Sequence, residues 1–406
     1  MADLVIIGKI KNSMSPFFLL KAFVMHQYAH LMYMMAKVVT MSKPLNARKY
    51  FCMSMSGNSY GDNIKCLSDY ISEHQPDAQI VWAFKSGFIR KVDCPHTVVS
   101  LYSFKYYYHI LTSRYILSNA RLNQRMLHKQ KRQKYIQTWH GTALKRLGYD
   151  IKKDRSFLQR MLRPDVFEFD VKNTDVMVSG SRFMTNVFRN SFRFEGKIIE
   201  TGTPRNDIFF GDYPEIRQRV CNTYGIDPNA QVVLYAPTFR SNGTFNYYDL
   251  DSETLMREWS NRTGKDCVLM IRLHPNLMHR NQEMSALFPN AINVSKYPDM
   301  QELLYIADLL VTDYSSTMFD YMYSRKPVLL YTPDSEEYDR GFYFELSSLP
   351  FLIAYDNDSL PNVISSYDPV SYKSDVEKFL KRIESFEDGR ASKKVVEFLH
   401  TTINEN

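Results

Sequence analysis

Short β-branched runs, each followed by a stretch with helical spacing, recur along almost the whole chain. That alternation commits it to a parallel α/β architecture, because parallel strands need a long crossover between them and a helix is the usual one. Strands are expected at 49–53, 79–84, 97–101, 135–138, 175–178 and 197–200, and again at 231–236, 266–273, 291–294, 308–312 and 327–331. Helices are expected at 63–74, 182–189, 249–263, 300–307 and 316–324. Turn-rich residues at 202–204 and 224–230 put a break near 205–230. The chain divides into an apolar, amphipathic start at 1–45, a first α/β domain at 46–215 and a second at 216–406. Two doubly wound domains present their functional loops to one central cleft, since ligands bind outside the carboxyl ends of parallel strands.

Composition narrows the reading. With 44% hydrophobic and 23% charged residues, wholesale disorder is excluded. The five cysteines are widely spaced and form no Cys-x-x-Cys pair, which argues against a disulfide framework or a zinc ribbon and for a reducing compartment. Residues 1–13 carry no secretory pattern. Residues 16–39 are long enough to span a bilayer, but Lys21, His26, Gln27, His30 and Lys37 interrupt them. A helix on the bilayer surface, or one packed on the protein, is expected instead of a spanning one.

The charge is concentrated. Residues 94–149 contain no Asp or Glu and ten Lys or Arg, more than the whole chain's net charge of +7. Among them, Lys105, Arg114, Arg121, Arg125, Lys129, Lys131 and Arg132, with Phe104, Tyr106, Tyr107, Tyr108 and Tyr115 interleaved, read as a face for an anionic membrane or a phosphate-rich acceptor. A merely solvated basic face is the plain alternative. No nucleic-acid-binding motif accompanies the run, so nucleic acid is not expected as a partner.

The strand ends carry the chemistry. After 135–138 comes Trp139-His140-Gly141-Thr142, in which a turn presents an imidazole suited to act as general base. Gly141 and Thr142 allow close backbone approach, and Lys145 follows as a cation for phosphate. After 197–200 comes Gly202-Thr203-Pro204-Arg205-Asn206-Asp207, whose Arg205 has the fork geometry that grips phosphate. Thr238 and Arg240 follow the strand at 231–236, and His274 sits before Pro275 at the end of 266–273. Asp313, Ser315 and Ser316 then open the helix expected at 316–324, with Asp320 inside it.

Together these blocks resemble the CDP-glycerol glycerophosphotransferase family, bacterial enzymes of teichoic acid and capsule synthesis. The resemblance rests on QTWHGTALKRLG (137–148), GTPRND (202–207), LYAPTFR (234–240), IRLHPN (271–276), VTDYSSTMFDYM (311–322) and KPVLLYTPD (326–334), with NSYGDN at 58–63. It covers about 50 to 345 and implies two Rossmann-like domains facing a central cleft, a GT-B-like fold. It also implies transfer of glycerol phosphate from CDP-glycerol to a hydroxyl, releasing CMP. On that resemblance His140 is the base and His274 assists the breaking diphosphate. Gly141, Thr142, Thr203, Arg205, Thr238, Arg240, Asp313, Ser315, Ser316 and Asp320 hold or orient the donor. The implied acceptor is an undecaprenyl-diphosphate-linked saccharide or a polyol phosphate at the cytoplasmic face of the membrane, reached by peripheral association. No cofactor is assigned, and a divalent-metal requirement is left open. CDP-ribitol as donor and a nucleotide-sugar glycosyltransferase are alternatives within similar folds; a non-enzymatic polyanion-binding protein is a third. Relative to the largest family members the chain lacks an extra N-terminal domain, which favours a short transfer over processive polymerisation.

Overall fold

The structure, a computed structural model, describes residues 16–122, 129–151, 166–239, 248–274, 277, 280–335 and 341–401. Two wholly parallel sheets organise it. The first has the order β3-β2-β1-β4-β5-β6-β7, with β1 at Asn46–Met53, β2 at Gln79–Phe84, β3 at Thr97–Ser100 and β4 at Ser113–Ser118. It continues with β5 at Lys134–Gln137, β6 at Val176–Ser179 and β7 at Lys197–Glu200. The second has the order β10-β9-β8-β11-β12-β13. Its strands are β8 at Gln231–Tyr235, β9 at Cys267–Ile271, β10 at Ile292–Asn293, β11 at Leu309–Thr312, β12 at Val328–Tyr331 and β13 at Leu352–Ala354.

Both sheets are covered on both faces, which explains why their strands read as continuous apolar runs. In β1, Tyr50 and Cys52 enter one core with the Asp62–His74 helix, while Phe51 and Met53 enter the opposite core with the Phe104–Thr112 helix. The second sheet repeats the pattern, with Val232 and Leu234 on one side and Val233 and Tyr235 on the other. The order reverses between β1 and β4 in the first sheet and between β8 and β11 in the second. Those two switch points open the crevices in which such sheets bind ligands.

Two strands escape the sequence reading, β4 and β13. The first is central and fully buried, and it follows the Phe104–Thr112 helix with no Gly or Pro between them. Its place in the core also corrects the basic-face reading. Arg114 is buried and donates from Nη1 to the Arg132 carbonyl. Lys129 is paired with Asp175 and donates to the Asn173 carbonyl at 2.8 Å. Tyr106, Tyr107 and Tyr115 are fully buried core rings, with Tyr115 stacked on Tyr50 at 5.0 Å. Lys105, Arg121, Lys131 and Arg132 are exposed, and Arg125 lies outside the described residues. The six of these cations that are described are thus split between core strand, ion pair and surface.

The chain passes from the first sheet to the second through Pro204–Phe210 and the Pro214–Tyr224 helix, whose Ile216 and Val220 pack on the second sheet. The last helix, Ala391–Thr401, crosses back. Its Val395, Val396 and Leu399 complete the core of the first sheet, and the Tyr115 hydroxyl donates to the Leu399 carbonyl at 2.8 Å.

The Pro16–Thr40 helix resolves the choice between surface and packed helix in an unexpected way. A thin stripe of Ala29, Tyr33, Ala36 and Thr40 is buried, with Tyr33 edge-on to Tyr107 at 5.6 Å. Leu20, Phe23, Val24, Leu31, Met35 and Val38 remain exposed. Among the described residues, no helix is long and apolar enough to cross a membrane.

Candidate active site

The His140 loop leaves the end of β5 and is anchored at the switch point of the first sheet. His140 Nδ1 lies 2.7 Å from the carbonyl oxygen of Asn119, the residue after β4. A carbonyl only accepts, so Nδ1 carries the proton and Nε2 keeps its lone pair. Asn119 is itself fixed to the end of β1, donating to Ser54 Oγ at 3.1 Å and accepting from the Met55 N–H at 2.8 Å. The ring stacks on Trp139 at 4.3 Å between centroids. Burial lowers the imidazole's pKa from 6.5; the Asn119 carbonyl and Asp62 oppose that shift, while Arg205 and Arg121 reinforce it.

The second switch point carries Thr238 after β8 and Asp313 after β11. Both oxygens of Asp313 accept from the Thr238 N–H, at 3.0 and 3.1 Å, and one accepts from the Tyr314 N–H at 2.7 Å. Asp313 is therefore buried and shapes the floor of the crevice, locking together the two loops that flank it. Ser315 accepts from the Thr317 N–H and hydroxyl, at 3.3 and 2.8 Å, at the start of the short Thr317–Tyr321 helix. Arg240 lies outside the described residues.

The two crevices meet. A side chain added at Gly141 would lie 2.6 Å from Ser316 Oγ and 3.2 Å from Arg205 Nη2. The His140 loop of the first domain thus rests directly on the serine loop of the second. Residues beyond Gly141 extend the contact: Arg146 N–H donates to the Gly341 carbonyl and Tyr343 N–H to the Leu144 carbonyl, each at 2.8 Å. His274, exposed beyond β9, stacks near Phe239 at 5.9 Å. Desolvation and the charge of Lys145, from the other domain, press its pKa below the ordinary imidazole value. His140 therefore lies beside the contact between the domains, and His274 lies within electrostatic reach of Lys145 on the His140 loop.

Three expected donor ligands are engaged otherwise. Arg205 is only 5% exposed, and its terminal nitrogens pair with Asp62 Oδ2 and Asp320 Oδ2, each at 2.8 Å. Burial opposes its charge, but Asp320 and Asp62 more than offset that and raise its pKa. One cation already facing two carboxylates has no surplus positive charge for a phosphate, so Arg205 and Asp320 form a joint rather than a grip. Thr203 is likewise tied down: its N–H donates to Glu387 Oε2 at 2.9 Å. Burial lifts the Glu387 carboxyl to about 8. Sequence reasoning gave no role to Asp62, Asn63, Asn119 or Glu387. Asp62 and Asn63 close the NSYGDN block, the signal that was available for them; a lone Asn119 and a distant Glu387 offer none.

Residues 34–401 match the family described as CDP-Glycerol:Poly(glycerophosphate) glycerophosphotransferase. The chain belongs to that family. Within this glycerophosphotransferase family, the teichoic acid poly(glycerol phosphate) polymerase of Staphylococcus epidermidis is 32% identical over 370 residues, 87% of this chain and 50% of the relative. The teichoic acid glycerol-phosphate transferase of Staphylococcus aureus is 31% identical over 373 residues, 87% of this chain and 93% of the relative. The chain thus spans half the length of the first and nearly all of the second. A solved structure of the wall teichoic acid polymerase TagF superposes with a TM-score of 0.81 at 28% identity, covering 95% of this chain and 96% of that one. The GT-B-like fold expected from the sequence is therefore the fold of this chain. A putative UDP-N-acetylglucosamine 2-epimerase from Listeria monocytogenes, at 12% identity and a TM-score of 0.53, shares the fold alone.

Proposed function

We propose that the chain transfers glycerol phosphate from CDP-glycerol to a hydroxyl of a lipid-linked or polyol-phosphate acceptor and releases CMP. The observation that carries this reading is the Nδ1-protonated His140, its Nε2 lone pair available at a loop that meets the Ser315–Ser316 loop of the other domain. The acceptor hydroxyl gives its proton to His140 Nε2 as its oxygen bonds to the phosphorus that bears glycerol. The bond from that phosphorus to the bridging oxygen breaks, and CMP leaves with that oxygen. Such a step needs positioning and charge neutralisation more than covalent help. Lys145 supplies positive charge beside the diphosphate, and His274, kept neutral near pH 7, donates a hydrogen bond to it. Thr238, Thr142, Ser315 and Ser316 offer hydroxyls and backbone N–H groups to the remaining oxygens.

Glycerol is favoured over ribitol because the relatives named for glycerol phosphate span 27–32% identity and include the three highest values, while those named for ribitol phosphate stand at 27–29%. Incubating the protein separately with CDP-glycerol and CDP-ribitol, an undecaprenyl-diphosphate disaccharide and its glycerol-phosphate-primed form, with and without EDTA, tests this. CMP release with CDP-glycerol at least tenfold faster than with CDP-ribitol is expected; the reverse order overturns the donor assignment, and no CMP from either overturns the function.

The acceptor side is read as a bilayer surface. The Pro16–Thr40 helix contains no acidic residue, and Lys21, Lys37, Lys43 and Lys105 accompany its exposed apolar flank. Apolar side chains entering the headgroup region with lysines beside them suit an anionic leaflet at the cytoplasmic face. In co-sedimentation with phosphatidylglycerol vesicles, Phe23→Glu with Leu31→Glu should weaken binding by more than about tenfold, since two large apolar groups are withdrawn. Unchanged sedimentation would remove this helix from the membrane contact.

A further inference from the structure

We propose that Asn63 is a positioning residue, coupling the His140 loop to the Asp62–Arg205–Asp320 joint so that the docked state of the two domains sets the base. The inference rests on the function proposed above but concerns a residue outside the donor and acceptor contacts.

Asn63 is fully buried, at the second position of the Asp62–His74 helix. Its carboxamide is spent on two loops that are distant in sequence. Oδ1 accepts from the Arg205 N–H at 3.0 Å, and Nδ2 donates to the Trp139 carbonyl at 3.0 Å. Orientation of an amide is fixed when one end must accept and the other must donate, and this one meets that condition. Trp139 is the residue before His140, and its ring is the one on which the imidazole stacks.

The backbone at Trp139 is under constraint. Trp139 has φ +56° and Asp62 has φ +62°; aspartate tolerates this left-handed conformation, whereas a bulky tryptophan adopts it only where its surroundings enforce it. Asn63 supplies part of that enforcement at Trp139, together with Thr138 Oγ1, which also donates to the Trp139 carbonyl at 3.0 Å. On its other side the same helix start holds Arg205 by the Asp62 carboxylate at 2.8 Å, and Arg205 reaches Asp320 of the second domain at 2.8 Å. Asp320 lies one helical turn beyond Ser316, the residue that Gly141 touches. From the serine loop one helical turn leads to Asp320, polar contacts run from there through Arg205 and Asn63 to the Trp139 carbonyl, and ring stacking carries the path to the imidazole. A shift between the domains is transmitted to His140 by bonds that are buried and hard to replace with water.

The test is Asn63→Ala, with Asp62→Asn as a second variant that keeps the shape of the joint. For Asn63→Ala, kcat of CMP release from CDP-glycerol is expected to fall about ten- to a hundredfold, the loss typical of a reacting group misplaced by about an ångström. The KM for CDP-glycerol and its affinity by calorimetry should stay within about threefold, because Asn63 bonds only the Trp139 carbonyl and the Arg205 N–H and touches no group assigned to the donor. Asp62→Asn should show the same split with a smaller loss. Independently of turnover, the ring nitrogen resonances of His140 in histidine-labelled protein, assigned with His140→Gln, should move in both variants. A kcat within twofold of wild type, a parallel loss of donor affinity, or unmoved His140 resonances would each overturn the proposal. Wild-type protein that releases no CMP would overturn the function reading instead, leaving the resonances to judge Asn63. If Asn63→Ala does not fold, Asp62→Asn decides on the same readouts.

Discussion

Replacing His140 by Ala should lower CMP release by about two to four orders of magnitude, the usual contribution of a positioned general base. Donor affinity should barely change, since the ring contacts the acceptor side of the reaction. The pH dependence provides the sharper check. The base works only when neutral, and burial places its pKa below 6.5. The rate with wild-type enzyme should therefore be flat through neutrality and fall on the acid side, with a midpoint under pH 6.5. Arg205 and Arg121 push that midpoint down and Asp62 pulls it up, so the acid limb reports on the whole cleft. An acid limb centred well above 6.5, or a His140→Ala enzyme within tenfold of wild type, would remove this residue from the chemistry.

Gly141→Ala should be nearly as damaging, for a steric reason. The backbone there has φ +150°, and a new Cβ would stand 2.6 Å from Ser316 Oγ and 2.9 Å from Ser316 Cβ. No rotamer of Ser316 relieves the second contact, so the loops of the two domains must separate. Forcing a methyl into a packed contact costs about 1–3 kcal/mol, and the separation displaces His140 from the donor. Turnover is expected to fall by more than tenfold and the thermal midpoint by a few degrees. The double variant Gly141→Ala with Ser316→Gly should recover part of the lost midpoint, because it removes both clashing atoms while the backbone strain of an alanine at φ +150° remains. A double variant no more stable than Gly141→Ala would show that the contact is not where the strain arises.

The sequence made the architecture readable because each domain repeats strand and helix with turn residues between them. Eleven strands could be placed within a few residues for that reason. β4 was hidden because Thr112 passes into Ser113 without a break, and because Arg114 reads as surface until its guanidinium is seen capping the Arg132 carbonyl. His140 and Asp313 stand at strand ends, where period and turn chemistry point directly to a cleft. Arg205 was legible as important but not in its role: only the fold brings Asp62 and Asp320, from blocks far apart in the chain, to either side of it. Glu387 illustrates the remaining limit. Nothing local distinguishes it from any solvated glutamate, yet it accepts from Thr203 and Asn206 in the passage between the domains.

The return of the Ala391–Thr401 helix to the first sheet has a consequence for biogenesis. A ribosome delivers the strands of the first domain long before the segment carrying Val395, Val396 and Leu399. Until translation has passed Thr401, one flank of that domain stays one helix short, with apolar surface uncovered. The earlier domain is therefore the later one to be finished, and a nascent chain stalled inside the second sheet would present that gap to chaperones.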